Sequence, residues 1–388
     1  MTESLSAWLA TDSVPPDLYA VGFQELDLSK EAFLFPDSAR EQPWSEAVFK
    51  GLHPGAKYRE VRRIRLVGMM LLVYVKESLR AFIKDEIAQS VGTGLMGTMG
   101  NKGGVAVSLK FHNTSICFVN SHLAAHTHEY ERRNQDFHNI TKRLLFVPDP
   151  LNPVRQFNID YHDVVLWLGD LNYRLMEGTF DLDSVKDMIA QRQFEPLLQL
   201  DQLRLSRSAN KSFRGYKEAS VQFPPTYKYD PGTDDFDSSE KARIPAWCDR
   251  ILWKANDVGS CRRTSNAMIG GVDPSPTGES LVRQLTYRSH PRLKLSDHKP
   301  VSALFDAKVK VVDQKKQKKV YEEIMKHLDK LENDYLPQVE CDTLELKFGV
   351  VSFMESSMQS VGITNTGQVM RMLFYLFRFL ALFNSFDQ

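Results

Sequence analysis

Charge of one sign is what this chain lacks most plainly: 49 Lys and Arg stand against 49 Asp and Glu in 388 residues. No molecule-wide field draws it to nucleic acid, and only a local basic patch could serve that end. Cysteine is scarce. The four residues, Cys117, Cys248, Cys261 and Cys341, lie far apart with no CxxC pair, which argues against a disulfide framework and structural zinc and fits a reducing compartment. No basic n-region before an apolar core opens the sequence, so a secretory leader is not expected. Long apolar runs are missing too. Met370 to Phe386 is broken by Arg371 and Arg378, too short and too charged for a membrane span. The length allows one large domain with an appendage.

Against these absences stands the run WLGDLNYR, Trp167 to Arg174. It follows the apolar stretch Val164 to Leu168 and puts Asp170 and Asn172 where that strand should end. Residues two apart on an extended chain face one way, so a carboxylate and a carboxamide can address one anion or water. Alone, the pattern is also that of an ordinary turn. The same event recurs, however. Leu18 to Phe23 runs into Gln24 and Glu25, and Thr114 to Asn120 into Ser121 and His122. In mirror order, Asp249 precedes Ile251 to Trp253, and Asp297-His298 precedes Pro300 to Phe305. If the second pair runs antiparallel to the first, Glu25, His122, Asp170, Asn172, Asp249, Asp297 and His298 gather on one edge. Acids, a carboxamide and imidazoles so placed suit a hard cation and a phosphate. His122 and His126 are also spaced as a zinc pair would be, though without the glutamate of a metalloprotease.

Residues 14 to 310 alternate short β-rich runs with helical stretches, which predicts a layered α/β (α+β) domain. Val61 to Val75 reads as adjoining strands, and Glu129 to Leu145 and Asp183 to Leu200 as helices. Tyr229 to Glu240 and Asn256 to Ser280 read as loops. Beyond Phe305, lysines at 315, 316, 318 and 319 open a polar helix with one apolar face of Val320, Ile324, Leu328, Leu331 and Tyr335, stopped by Pro337. Its lysines make a solvated face or a contact with acidic lipid. Residues 344 to 369 alternate in part like two strands of a small β-sandwich.

FQELDLS, GTMGNKGGV, NSHLAAH, WLGDLNYR, PPTYKYD, PAWCDRIL and SDHKPV, in that order, resemble the inositol polyphosphate 5-phosphatases, most of all their type II branch. The resemblance implies a four-layer DNase I-like sandwich. It divides the chain into a catalytic domain over 1–310, a helical linker over 311–337, and an incomplete Ig-like (ASH) strand pair with an atypical apolar tail over 338–388. It makes Glu25 the Mg2+ ligand and Asp170 the group that orients and deprotonates water. Asn172 would hold the scissile phosphate or the water. His298, its ring held by Asp297, would donate to a phosphoryl oxygen, with His122 doing similar work opposite and Asp249 orienting the network. Tyr227, Lys228, Lys241 and Arg243 would grip the neighbouring 4-phosphate, with Asn101 and Lys102 near the site. Phe33, Leu34 and Phe35 would dip into the membrane.

The implied activity is Mg2+-dependent removal of the 5-phosphate from phosphatidylinositol 4,5-bisphosphate, with the 3,4,5-trisphosphate and soluble inositol polyphosphates as further substrates. The implied setting is cytoplasmic, peripheral on endosomal, Golgi or plasma membranes, with a phosphoinositide headgroup as ligand, no nucleic acid, and small GTPases as partners of a full ASH region. The sequence departs from the pattern in two places. The family's first core strand, a Trp/Tyr-Asn-Val-Asn-Gly run with a metal-holding Asn, has no counterpart. After Val369 the ASH-like pattern gives way to unrelated apolar sequence. Weak or no turnover is therefore expected of this polypeptide. A catalytically weak phosphoinositide-binding scaffold remains the alternative, and a DNase I-like nuclease a further one.

Overall fold

The computed structural model describes residues 3–27, 29, 40–94, 97, 99–149, 151, 155–256, 280–334, 338–349 and 356–367. Phe33 to Phe35, Cys261, Tyr335, Pro337, most of the loop over 256–280 and the tail from Met370 lie outside them. The chain divides into two compact units, Met1–Val311 and Val312–Gln388. In the first, the elements run α1 (Ser6–Leu9), β1 (Leu18–Phe23), α2 (Glu41–Gly51), β2 (Tyr58–Leu66), β3 (Met69–Lys76), β4 (Ile83–Gly92), β5 (Gly103–Phe111) and β6 (Thr114–His122). After these come α3 (Tyr130–Arg143), β7 (Leu145–Phe146), β8 (Phe157–Asn158), β9 (Val164–Asp170), α4 (Leu182–Ala190), α5 (Phe194–Leu198) and α6 (Gln202–Ser208). The unit closes with β10 (Asp249–Ala255), β11 (Val282–Ser289) and β12 (Val301–Ala307).

Two sheets carry the fold, one ordered β1-β3-β2 and one β10-β9-β6-β5-β4. Apolar residues of both, among them Leu71, Val73, Val105, Val107, Phe118 and Trp253, form one buried layer between them. A strand covered on both faces reads as continuous hydrophobe rather than alternation, which is why Met-Met-Leu-Leu-Val-Tyr-Val of β3 is wholly buried. The outer face of the larger sheet packs Val119, Val165 and Trp167 on Phe137 and Ile140 of α3. The outer face of the smaller packs Val21, Leu72 and Tyr74 on Leu5, Leu9 and Val48. Helix, sheet, sheet, helix gives four layers, a DNase I-like sandwich of mixed α and β content.

β6 and β9 are parallel and joined through α3, the crossover that parallel pairing demands. β10 then runs antiparallel to β9. The helix expected over Asp183 to Leu200 is two. Asp181 caps α4 through a bond from Ser184 N, and Arg192, at φ 57, ends it in the left-handed region before α5 begins. In the second unit, α7 (Gln314–Asp334) buries no residue, so its apolar stripe is exposed. The strand pair there is β13 (Val339–Cys341) with β14 (Ile363–Asn365); residues 344–349, expected to be strand, are not. Among the described residues no helix is long and apolar enough to cross a membrane.

Candidate active site

One register row holds the chemistry. Gly103 of β5 faces His122 of β6, His122 faces Asp170 of β9, and Asp170 faces Asp249 of β10. Each strand therefore delivers its last or first polar residue to the same edge of the sheet, and the antiparallel turn of β10 meets the condition set by the sequence. His122 Nε2 stands between Lys102 Nζ at 2.5 Å and Asp170 Oδ2 at 3.2 Å. Glu25 Oε1 lies 3.8 Å from that nitrogen and 3.9 Å from Lys102 Nζ. Asp170, Asp249 and His298 offer ligand atoms within 4.8 Å of one another.

Asn172 sits at φ 56, a left-handed conformation that Asn tolerates better than most residues. That kink brings it back on Asp170: its backbone N–H donates to Oδ1 at 2.9 Å and its Nδ2 to Oδ2 at 3.1 Å. Nδ2 also donates to Leu123 O, and Oδ1 accepts from Arg174 at 2.5 Å. With both ends of its carboxamide engaged and only 2% exposure, Asn172 positions Asp170 rather than gripping a phosphate. A second correction concerns His298. Its Nδ1 bonds Asp249 Oδ2 at 2.8 Å, not Asp297, whose carboxylate lies 4.0 Å from Lys228 Nζ. Sequence adjacency misled because side chains of neighbouring residues diverge, whereas β10 brings Asp249 alongside from 49 residues away. Thr226 Oγ1 donates to the same Asp249 oxygen at 2.6 Å.

Electrostatics follow from this packing. Burial alone would raise the Asp170 pKa, but the hydrogen bond from His122 and the nearby His298, His122 and Lys102 side chains outweigh it, so the carboxyl is held below the usual range and ionised. Burial would likewise strip the proton from His298, yet Asp249 on its ring, with Asp170 and Asp297 nearby, raises its pKa to about 9. It is an imidazolium at neutral pH, with Nε2 the donor left for an oxygen. Burial lowers the Lys102 pKa, against the pull of Asp170 and Glu25.

Beside this cluster the His298 ring meets Tyr227 at 4.5 Å between centroids, and the Arg174 guanidinium lies 4.0 Å over the other partner of that contact, the Tyr227 ring. Lys228 Nζ and Arg243 Nη1 share Asp237, at 3.9 and 3.5 Å. Burial opposes the Asp237 charge, but bonds from Ser239 and Arg243 and the Lys228 cation bring its pKa down to about 2. Lys241 is exposed. Asn101 turns its Oδ1 inward, toward Gly94, where it is buried without a hydrogen-bond partner. His126 stacks on His128 rather than joining His122, so the zinc-pair spacing is not used. Arg174 and Thr226 carry contacts the sequence reading missed. Arg174 lies within WLGDLNYR, four residues after Asp170, and that alone could have marked it.

The sequence profile of the endonuclease/exonuclease/phosphatase family 2 matches residues 1–304. Among curated relatives, the type II inositol 1,4,5-trisphosphate 5-phosphatase of Mus musculus is 48% identical over 365 residues, 94% of this chain and 34% of that protein. Synaptojanin-1 of Homo sapiens is 35% identical over 322 residues, 81% of this chain and 20% of that protein. A crystal structure of the inositol polyphosphate 5-phosphatase domain of SPsynaptojanin, in complex with inositol (1,4)-bisphosphate and calcium ion, is 32% identical. It covers 85% of this chain and 90% of its own with a TM-score of 0.66. A layered DNase I-like hydrolase fold with a phosphate-suited rim is the class these features define. The chain belongs to the inositol polyphosphate 5-phosphatases. It spans about a third of the length of the first of these curated relatives, and a fifth of the second.

Proposed function

We propose that the chain is a phosphoric monoester hydrolase that removes the 5-phosphate of phosphatidylinositol 4,5-bisphosphate, and of the 3,4,5-trisphosphate and soluble inositol polyphosphates, by in-line attack of water. The observation that carries this reading is the single row of His122, Asp170 and Asp249, with His298 joined to it through Asp249. Asp170, ionised and clamped by Asn172, orients a water and takes its proton. His298, charged through Asp249, donates from Nε2 to a phosphoryl oxygen as negative charge grows, the arrangement that gives fixed donors their catalytic value. Lys102 adds positive charge beside the same oxygens. Lys228 and Arg243, poised on Asp237, suit a second phosphate, for which a planar guanidinium and an ammonium are complementary partners.

The donor set fits Mg2+. The ion prefers few protein carboxylates and leans on water and substrate phosphate, and Glu25 is 60% exposed with only the long 3.8 and 3.9 Å contacts above. Bound there, the ion would neutralise charge on the phosphate. The family resemblance is the ground for proposing lipid headgroups at a cytoplasmic membrane face, endosomal, Golgi or plasma, as the place of work. Phosphate release from short-chain phosphatidylinositol 4,5-bisphosphate with Mg2+, with EDTA, and for Asp170→Asn tests the reading. Release that survives EDTA and Asp170→Asn alike, or nicking of plasmid DNA in its place, would sink it.

A further inference from the structure

Lys228 and Arg243 meet at a carboxylate that a serine also holds. Lys228 and Asp237 pair across a short hairpin, in which Asp237 N donates to Lys228 O at 2.9 Å and Tyr229 bridges to Phe236. The chain then turns: Ala242 N donates to Ser239 O at 2.9 Å, and Ala242 takes φ 36. This turn returns Arg243 to Asp237, whose Oδ2 accepts from Arg243 N at 3.1 Å, while Oδ1 accepts from Ser239 N at 3.2 Å. The Ser239 hydroxyl donates to the same carboxylate. Asp237 is buried, whereas Ser239, Glu240 and Lys241 at the crest of the turn are exposed. An accessible hydroxyl therefore stands on a buried anion that holds two cations.

The cations there can take another anion. Lys228 Nζ lies 3.9 Å from Asp237 Oδ1 and 4.0 Å from Asp297 Oδ2, and Arg243 Nη1 lies 3.5 Å from Asp237 Oδ2. All three contacts are longer than a charge-assisted hydrogen bond, so neither cation has its donors filled. A phosphoryl group on Ser239 would bring about −1.5 to −2 charges and three acceptor oxygens to this carboxylate's edge. It would repel Asp237 and draw Lys228 and Arg243 onto itself. The flanking chain suits an enzyme that selects acidic surroundings, since Asp234, Asp235 and Asp237 precede Ser239 and Glu240 follows it.

We infer that Ser239 is a phosphorylation site for an acid-directed serine kinase, and that its phosphate takes Lys228 and Arg243 and so closes the subsite for a second substrate phosphate. The modification transfers the γ-phosphoryl group of a nucleoside triphosphate. The bond from phosphorus to the bridging oxygen breaks and one to Ser239 Oγ forms; the diphosphate leaves and the hydroxyl proton passes to the kinase's base. The closure rests on the role proposed above for Lys228 and Arg243, whereas the modification and the docking of its phosphate do not.

The test starts with the full chain, ATP and a purified acid-directed serine kinase, the site being mapped by tandem mass spectrometry. Phosphate should appear on Ser239. Chain phosphorylated at Ser239 by translational incorporation is then compared with chain phosphorylated at Ser238, which has equal charge but turns its backbone N–H to Asp230. In ³¹P spectra the phosphate of Ser239 should lose its second proton at lower pH than that of Ser238, and Lys228→Met should abolish the difference. Calorimetry in EDTA should show the Kd for inositol 1,4,5-trisphosphate raised about tenfold or more by phosphate on Ser239, and less by phosphate on Ser238. Unmodified Lys228→Met separates the two readings, with Arg243→Gln in its place should that variant not fold. If it binds the trisphosphate as the unaltered chain does, the second-phosphate role fails and the closure falls with it, while the mass and ³¹P data still judge the modification. If it weakens binding but phosphate on Ser239 does not, the closure alone is overturned. Phosphate placed only on other residues, or a Ser239 phosphate that titrates like that of Ser238, overturns the proposal outright.

Discussion

His122 and Asp170 stand on β6 and β9, strands paired along both edges, while Glu25 follows β1, paired along one edge among the described residues, and takes φ 54 in the turn beyond it. The first pair is 2% and 6% exposed; the Glu25 side chain is 60% exposed. The groups proposed to handle protons are thus fixed by backbone ladders and buried bonds, where a low local dielectric strengthens every contact. The carboxylate suited to a cation is held loosely, while Gln24 and Phe23 O, both bonded to Asn120, tie its neighbourhood to the rigid sheet. Rigidity marks the flank that must pre-exist, and freedom the flank a ligand can complete.

The largest effect expected is on the rigid flank. Asp170→Asn keeps shape and burial but loses the negative charge that His122, His298 and Lys102 surround. Its kcat should fall about 10²- to 10⁴-fold with an unaltered melt, read as phosphate release. A loss under about tenfold would mean that the row is structural. On the loose flank, Glu25→Gln should leave kcat at saturating Mg2+ within a few fold but raise the Mg2+ needed for half-maximal rate about tenfold or more. Equal losses at every Mg2+ concentration would erase the contrast between the two flanks.

Much of this contrast is legible in the sequence and part is not. Apolar runs ending in Gln24-Glu25, Ser121-His122 and Gly169-Asp170 locate strands and the edge they share, because strand ends are where a buried chain must change to polar. The patterning gives a layered α/β domain, with the uninterrupted apolar run of β3 marking a strand covered on both faces; the four-layer architecture is implied by the family resemblance. What strand spacing cannot give is which side chain meets which across strands. His298 finds Asp249 from 49 residues away, and Asn172 folds back on Asp170 only through its left-handed backbone. The break at Arg192 between α4 and α5 is set by one left-handed dihedral, and the polar Gln191-Arg192-Gln193 with Pro196 beyond it is the sign the sequence offers.

A smaller effect separates Asp249 from Asp297, the sequence neighbour of His298. The His298 pKa is raised from the ordinary 6.5 to about 9, against the pull of burial, by Asp249 most, then Asp170 and Asp297. Because the folded value is raised, the donor is fully charged below the ordinary value and is lost as pH rises through about 9. The kcat/KM profile should therefore fall on that alkaline limb. Asp249→Asn should move the limb toward neutrality, whereas Asp297→Asn should move it less. If the two variants shift it equally, the hydrogen bond at 2.8 Å is not what charges the ring.

The smallest effect tests whether the rigid flank reaches as far as Tyr227. Arg174 lies over that ring at 4.0 Å and donates to Asn172 at 2.5 Å, so it links the Asp170 clamp to the residues suited to a second phosphate. Lysine in its place keeps the charge but loses the planar fork and most of the stacking, which for a partly desolvated cation over a ring is worth about 1–2 kcal/mol. Arg174→Lys should accordingly raise KM about fivefold to thirtyfold for phosphatidylinositol 4,5-bisphosphate while kcat falls less. The same variant assayed on a substrate without the 4-phosphate should show a smaller change in KM. An identical change on both substrates would confine Arg174 to supporting Asn172, and the two halves of the site would then be independent.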